Sequence, residues 1–316
     1  MVKARAWLQR ETASSLVEQE LFDPADLSDA PATADMLQTV ARQLLNKRQI
    51  IVFTGAGIST AAGISCFQGP YNANPQARMM LEAFQLNNFE NDFWTFITEL
   101  RQQCKGKRPT VFHRMIDGFS QRQQLKWTFT QNIDGLERLC GHLGDKVTYL
   151  HGRLDQLRCT KNAAHKTAFE APNGVYGECP VCIELKTEPP GDSGDIVKPR
   201  RSSRIRDQVG RLRPDIVLYG EDTPEADSIG EQIRNMKLAP QADALIIAGT
   251  SMTIAAARNA VETLKAGLSE GSEVFWVNLQ RVPKSIEHLI DVPLLTSTER
   301  FGNAVLDMWR QQSTAV

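Results

Sequence analysis

The 316-residue chain has no apolar run approaching the roughly 18 residues that a membrane-spanning helix needs. It also lacks an excess of either charge. Its 36 Lys and Arg stand against 37 Asp and Glu, and the formal net charge of -1 excludes strong global attraction to nucleic acid or membrane. Met1 to Arg10 is basic but has no apolar stretch of the secretory kind, and Glu11, Glu18 and Glu20 argue against an amphipathic transit peptide. Without such a signal the six cysteines read as thiols or metal ligands, not as a disulfide framework, in a reducing compartment such as cytosol or nucleus. What is present is an ordinary globular balance, 41% hydrophobic and 23% charged, in a chain long enough to bury a sizeable core.

Residues 1–32 are polar, with Pro24, Pro31 and scattered acids, and read as a loosely held leader. From Thr33 to Arg48, Leu37, Val40, Leu44 and Leu45 recur at helical spacing. Ile50-Ile51-Val52-Phe53 then reads as a buried parallel strand, and Trp127 to Thr130, Ala244 to Ala248 and Val274 to Val277 resemble it. Helix-like stretches at 90–103, 109–119, 224–238, 255–267 and 299–312 lie among them. Strands alternating with helices predict an α/β fold, a Rossmann-like doubly wound parallel sheet covered on both faces. The stretch 150–212 breaks this rhythm, being rich in Cys, Gly, Pro and charge. It is expected to form a smaller inserted module, with 33–149 and 213–316 making the large domain and a helical insertion at about 64–120.

Gly55-Ala56-Gly57-Ile58-Ser59 follows the first strand directly. A glycine-rich turn between strand and helix lets backbone N–H groups approach a phosphate. Thr60 occupies the third glycine position of the usual pattern, so the turn alone fits a nucleotide site and a simple tight turn equally. Gln131-Asn132-Ile133-Asp134 follows the strand ending at Thr130. Its amide and carboxylate would sit where open sheets bind ligands, although Asp134 alone also suits a helix cap. His151 follows the strand-like Val147 to Leu150, and histidine suits base work near neutral pH. Asp215 to Glu221 reads as an extended segment whose free edge would hold a peptide, or as an ordinary strand. Gly249-Thr250-Ser251 and Asn278 end two further strands and offer small polar groups at the same sheet edge.

Jointly these segments are specific. G-A-G-I-S, T-Q-N-I-D-G, L-H-G, a C-x2-C pair, I-V-L-Y-G-E and G-T-S stand in the order and at the spacing of the sirtuin family, which the chain resembles over roughly 33–295. Within it, V-G-R-L-R-P-D-I-V-L-Y-G-E-D and P-Q-A-D-A-L-I-I-A-G-T-S-M look most similar to a fungal branch of nuclear histone deacetylases. The resemblance implies an NAD-dependent protein lysine deacylase releasing nicotinamide and an O-acyl-ADP-ribose, with an acylated protein, histone above all, as partner. It implies contact with chromatin only through that substrate, no direct sequence-specific nucleic-acid binding, no membrane, and a nuclear location with cytoplasm as the alternative. Gly55, Ala56 and Gly57 would cradle the pyrophosphate; Gln131, Asn132, Ile133 and Asp134 would hold the nicotinamide ribose and carboxamide; Gly249, Ser251 and Asn278 would take the adenosine half. His151 would be the catalytic base, assisted by Asn132, and Val217, Leu218, Tyr219, Gly220 and Glu221 would line the acyl-lysine peptide.

Two departures stand out. Where the family reads G-I-P-D-F-R, this chain reads Gly63-Ile64-Ser65-Cys66-Phe67-Gln68. Phe67 would still cover the nicotinamide pocket, but two charged groups are gone, and a charge-assisted bond contributes about 1.5–3 kcal/mol. A weakened enzyme acting as an NAD-binding scaffold or acyl-lysine binder is therefore an alternative, as is an ADP-ribosyltransferase. The second departure is in the structural zinc site implied by the resemblance. Cys159, Cys179 and Cys182 are in place, but Asn162 stands where the first pair's partner belongs, with His165 as a substitute ligand.

Overall fold

The computed structural model describes residues 31–64, 90–168, 177–187, 209–218 and 221–314. The expected leader (all but its last two residues), Cys66, Phe67 and Gln68, and Tyr219 and Gly220 lie outside the described residues. Among those described, no helix is long and apolar enough to cross a membrane.

Strands β1 (Ile50–Thr54), β2 (Leu125–Thr130), β3 (Val147–Tyr149), β7 (Ala244–Ala248), β8 (Glu273–Asn278) and β9 (Val292–Leu295) form one sheet in the order β3-β2-β1-β7-β8-β9. Every pairing in it is parallel. β1 shows why the run is unbroken in sequence. Ile50 and Val52 enter the core on one face, while Ile51 and Phe53 enter the core on the other. Helices α1 (Ala34–Leu45), α3 (Val111–Gln121) and α7 (Thr298–Thr314) cover the first face through Leu37, Phe112 and Phe301. Helices α5 (Ala226–Asn235) and α6 (Ala255–Lys265) cover the second through Ile233 and Val261. The expected doubly wound sheet is present. β9 was not legible, because Pro293 interrupts a run of only four residues; an edge position is where a sheet tolerates proline.

The stretch after Leu150 holds more regular structure than its composition suggests. β4 (Gly152–Cys159), β5 (Lys166–Ala168) and β6 (Leu212–Ile216) form an antiparallel sheet in the order β5-β4-β6. β6 pairs with β4, so this small sheet takes in residues 213–216 that the sequence assigns to the large domain. The extended segment also begins earlier than Asp215, and Val217 and Leu218 follow the strand instead of forming it. Helix α2 (Glu90–Cys104) packs Phe93 and Ile97 against Leu154, Leu157, Ile216 and Leu218, and α4 (Pro180–Thr187) carries Cys182.

Candidate active site and metal centre

Because the large sheet is parallel, β1, β2, β3, β7 and β8 all end at one edge. Strand order reverses beside β1: the chain steps from β1 to β2 and β3, then returns on the other side as β7. Open α/β sheets bind ligands in the crevice at such a reversal. The segments entering it are cross-tied by main-chain bonds: Gly55 N–H to Ala248 O at 3.0 Å, Gln131 N–H to Thr54 O at 2.9 Å, Leu150 N–H to Thr130 O at 2.8 Å and Gly249 N–H to Val277 O at 3.1 Å.

The glycines here are demanded by contact. A Cβ on Gly55 would lie 2.7 Å from Thr250 Cβ, and one on Gly57 would lie 2.7 Å from Gly249 Cα. Gly249 itself has φ +61°, and its Cβ would meet Ile58 N at 2.6 Å. The two turns thus pack backbone against backbone, leaving the crevice lined by peptide groups. Gly57 N–H donates to Gly249 O at 2.8 Å, Thr250 Oγ1 to Gln131 Oε1 at 2.7 Å, and Asn278 Nδ2 to Thr250 O at 2.7 Å. Ser251 Oγ lies 3.2 Å from Thr253 Oγ1. Gln131 and Asn278 therefore hold the β7 turn with these side-chain groups.

Asn132 is 2% exposed. Its Nδ2 donates to Ser59 Oγ at 3.2 Å, while its Oδ1 is buried without a hydrogen-bond partner. An orphaned buried acceptor at a ligand edge is an opening for a hydroxyl or a water. Asp134 Oδ1 accepts the Leu136 N–H at 2.9 Å, and the Ser59 hydroxyl reaches the same carboxylate. Burial pushes the Asp134 pKa up, against those two bonds. Beneath this loop Glu137 is 1% exposed, and burial together with the neighbouring Asp134 charge pushes its carboxyl up to about 8.

His151 Nδ1 lies 3.1 Å from Gln131 O. A carbonyl only accepts, so Nδ1 carries the proton and Nε2 presents a lone pair. Burial lowers the His151 pKa, which keeps the ring neutral and fit to take a proton. The crevice thus joins the expected Gly55, Ala56, Gly57, Gln131, Asn132, Asp134, His151, Gly249, Ser251 and Asn278 along one edge. Ile133, between them, is partly buried and packs its side chain against the cluster of Phe93, Leu154 and Ile216. Thr250 and Ser59, whose side chains tie these segments together, stand inside motifs legible in the sequence but have no separate role there, since hydroxyls at strand ends carry no pattern of their own.

Cys159, His165, Cys179 and Cys182 place their ligand atoms within 4.8 Å of one another. His165 Nδ1 is 3.4 Å from Cys182 Sγ and 3.8 Å from Cys179 Sγ, and Cys159 Sγ is 3.6 Å from Cys182 Sγ. Three thiols and an imidazole around one point form a closed donor set of the structural zinc type. Asn162 is not a ligand. Its Oδ1 accepts the Ala164 N–H at 3.0 Å and its amide lies 3.1 Å from His165 Nε2, so it shapes the turn that delivers the imidazole. Gly210 closes the site, for a Cβ there would lie 2.1 Å from Cys159 Sγ.

Of the residues expected to line a peptide, Val217 donates its N–H to His151 O at 3.0 Å, which puts this segment beside His151. Glu221 is engaged elsewhere: both its oxygens bond to buried arginines, Arg158 and Arg213.

Fold and crevice define a dinucleotide-binding class of α/β protein with a small inserted metal module. Comparison with known proteins makes this particular. A family profile described as the Sir2 family matches residues 55–256, and the chain belongs to that family. It is 30% identical over 268 residues to the NAD-dependent histone deacetylase HST4 of Saccharomyces cerevisiae, covering 76% of this chain and 69% of that protein. It is 28% identical to the NAD-dependent protein deacetylase hst4 of Emericella nidulans, covering 92% of this chain but spanning only 52%, about half, of that protein's length. Among solved structures, a mutant Sir2 homologue in complex with ADP-ribose shares the fold at a TM-score of 0.66 and 20% identity, over 87% of this chain and 97% of that one.

Proposed function

We infer that the protein is an NAD-dependent protein lysine deacylase of the histone-directed kind, with His151 as its base and a structural zinc in the small module. The observation that carries the reading is the geometry of His151: its Nδ1 lies against Gln131 O, which leaves the lone pair to Nε2, beside the strand ends where the glycine turns meet and Asn132 Oδ1 lacks a partner, and burial lowers its pKa. NAD⁺, when bound, would supply the electrophilic ribose carbon that accepts the acyl oxygen and releases nicotinamide. The chain's own contribution is positional and electrostatic. Gly55, Ala56 and Gly57 offer close backbone approach to a pyrophosphate, and Gly249, Ser251 and Asn278 lie where the adenosine half would rest. Asn132 Oδ1 would accept a ribose hydroxyl or a water, Asp134 would face the carboxamide, and His151 Nε2 would take a hydroxyl proton. Phe67 would cover the nicotinamide end. Val217 and Leu218, adjoining His151 O, would carry the acyl-lysine peptide, with Tyr219 and Gly220 continuing the segment. Cys159, His165, Cys179 and Cys182 would hold the zinc.

The chain's relatives include proteins named histone deacetylases of Saccharomyces cerevisiae and Candida albicans, which supports acylated histone as the substrate and the nucleus as the location. The test is nicotinamide release with and without an acetyl-lysine histone peptide, on the native chain and on His151→Ala. Peptide-dependent release that falls by about 10²–10⁴-fold in His151→Ala, with ADP-ribose affinity held, supports the assignment. Release without peptide would make the protein a transferase or hydrolase, and none at all a binding scaffold.

A further inference from the structure

Three cations and three carboxylates gather where the small sheet meets the connection to α5: Arg158, Lys166, Arg213, Asp215, Glu221 and Glu225. Arg158 and Arg213 are paired residues on adjacent strands, 3% and 5% exposed. Two buried guanidinium groups side by side repel unless carboxylates stand between them. Glu221 provides that. Arg158 Nη2 and Arg213 Nη1 donate to its Oε1 at 2.7 and 2.8 Å, and Arg213 Nη2 donates to its Oε2 at 2.6 Å. Oε2 also accepts the Leu218 N–H at 3.1 Å, and Arg213 Nη2 donates to Ile216 O at 2.8 Å. Lys166 Nζ bonds to Asp215 at 2.8 Å and Glu225 at 3.0 Å, while Arg158 Nη1 lies 3.9 Å from each of these two carboxylates.

Two of the cations, Arg158 and Lys166, come from the metal hairpin, whereas Arg213 and Asp215 sit on β6, and Glu221 and Glu225 follow it in the chain. Arg158 immediately precedes Cys159, and Lys166 immediately follows His165. Cys159 N–H also bonds to His165 O at 3.0 Å, so both cations ride on the hairpin whose ends the metal would join. Asp215, Glu221 and Glu225 flank Val217 and Leu218 on the other side.

We propose that Glu221 is a positioning residue, not a substrate contact, and that this clamp transmits occupancy of the metal site to the segment Val217–Leu218. A metal tying Cys159 to His165 fixes Arg158 and Lys166. Those cations fix the carboxylates, and the Leu218 N–H bond to Glu221 fixes the backbone beside His151. Removing the ion frees the hairpin and with it the counter-charges that hold the segment down. The link to substrate affinity rests on the deacylase reading; the link from metal to segment does not.

The experiment is hydrogen exchange on the full chain, zinc-loaded and chelated, and on zinc-loaded Glu221→Gln, Glu221→Asp and Lys166→Met. Chelation and Glu221→Gln are each expected to speed exchange at the Val217, Leu218 and Glu221 amides by about tenfold, with β7 (Ala244–Ala248) unchanged. In turnover, Glu221→Gln raises the acetyl-lysine peptide KM by about tenfold while kcat and the KM for NAD⁺ stay within about twofold, and Glu221→Asp recovers part of the loss. Acceleration confined to the module around Cys159 and Cys179 overturns the proposal, as does native exchange in Glu221→Gln. Should chelation open the whole chain, Lys166→Met at full zinc decides: faster exchange after Ile216 supports the clamp and no change sinks it. If no acetyl-lysine peptide binds the native chain while the exchange coupling holds, the deacylase reading fails and the clamp stands.

Discussion

The crevice beside β1 and the small module solve the problem of holding a ligand with different materials. At the crevice the decisive atoms are backbone: Gly57 and Gly249 approach so closely that either Cβ would overlap the opposite main chain. In the module they are side chains, three thiols and an imidazole brought within 4.8 Å by the end of β4, the turn after it and the start of α4. The difference sets what each region tolerates. A Cβ that would stand 2.7 Å from the opposite main chain leaves no room for substitution in place. A ligand atom at the end of a side chain can be supplied from a neighbouring position, and the module uses that freedom, since His165 stands in for a cysteine at 162 while Asn162 serves the turn.

The largest break in this contrast is expected from the module. One zinc per purified chain should be found by metal analysis, and His165→Ala should weaken it by more than the roughly 10- to 100-fold that loss of an outer partner costs. His165→Cys should restore retention, because a thiolate at the same place completes the set. Zinc content indifferent to both changes would remove His165 as a ligand.

At the crevice the corresponding change is Gly57→Ala, and there no exchange of residue type should rescue it. The added methyl meets Gly249 Cα, so the turns must part, at a cost of about 1–3 kcal/mol in stability. Calorimetry with ADP-ribose should show affinity lower by about tenfold or more, since parting the turns moves the N–H groups meant for the pyrophosphate. Native affinity in Gly57→Ala would mean that the cofactor does not rest on this turn.

The same contrast decides what the sequence discloses. A backbone approach demands glycine, so Gly55, Gly57 and Gly249 are visible at strand ends, and β1 is visible because both its faces are buried. β4 is not, because the buried Arg158 and the run of three buried residues at its end break the alternation that marks a strand. The charge clamp is invisible for a related reason: Arg158 and Glu221 are 63 residues apart, and only the pairing of β4 with β6 brings them together. His165 is legible as a candidate because metal-ligand chemistry limits the substitutes, but its arrival beside Cys182 depends on a turn no pattern announces.

The smallest effect expected is a shift in pH dependence, and it separates the base from the protein around it. For His151 to act it must be unprotonated, so kcat/KM rises with pH as the ring loses its proton. Burial lowers its pKa from 6.5, while the Gln131 bond opposes this; the acid limb should therefore fall below pH 6.5, with a flat profile through neutrality. Acid unfolding could imitate that limb and needs a sign of its own. Burial holds His113 at about 3, so below pH 6.5 the unfolded chain takes up a proton that the folded chain refuses. Stability then declines from pH 6.5 toward 3 by up to about 1.4 kcal/mol per pH unit. Glu137 acts oppositely: the folded chain keeps a proton that the unfolded chain releases above 4.5, so its contribution is full below 4.5 and is lost as pH rises to about 8. Glu137→Gln should flatten that alkaline decline without moving the activity limb, and ellipticity recorded beside turnover distinguishes the two. An activity midpoint above 6.5 at full ellipticity would mean the imidazolium is favoured at this site, and the neutral-base assignment for His151 would fall.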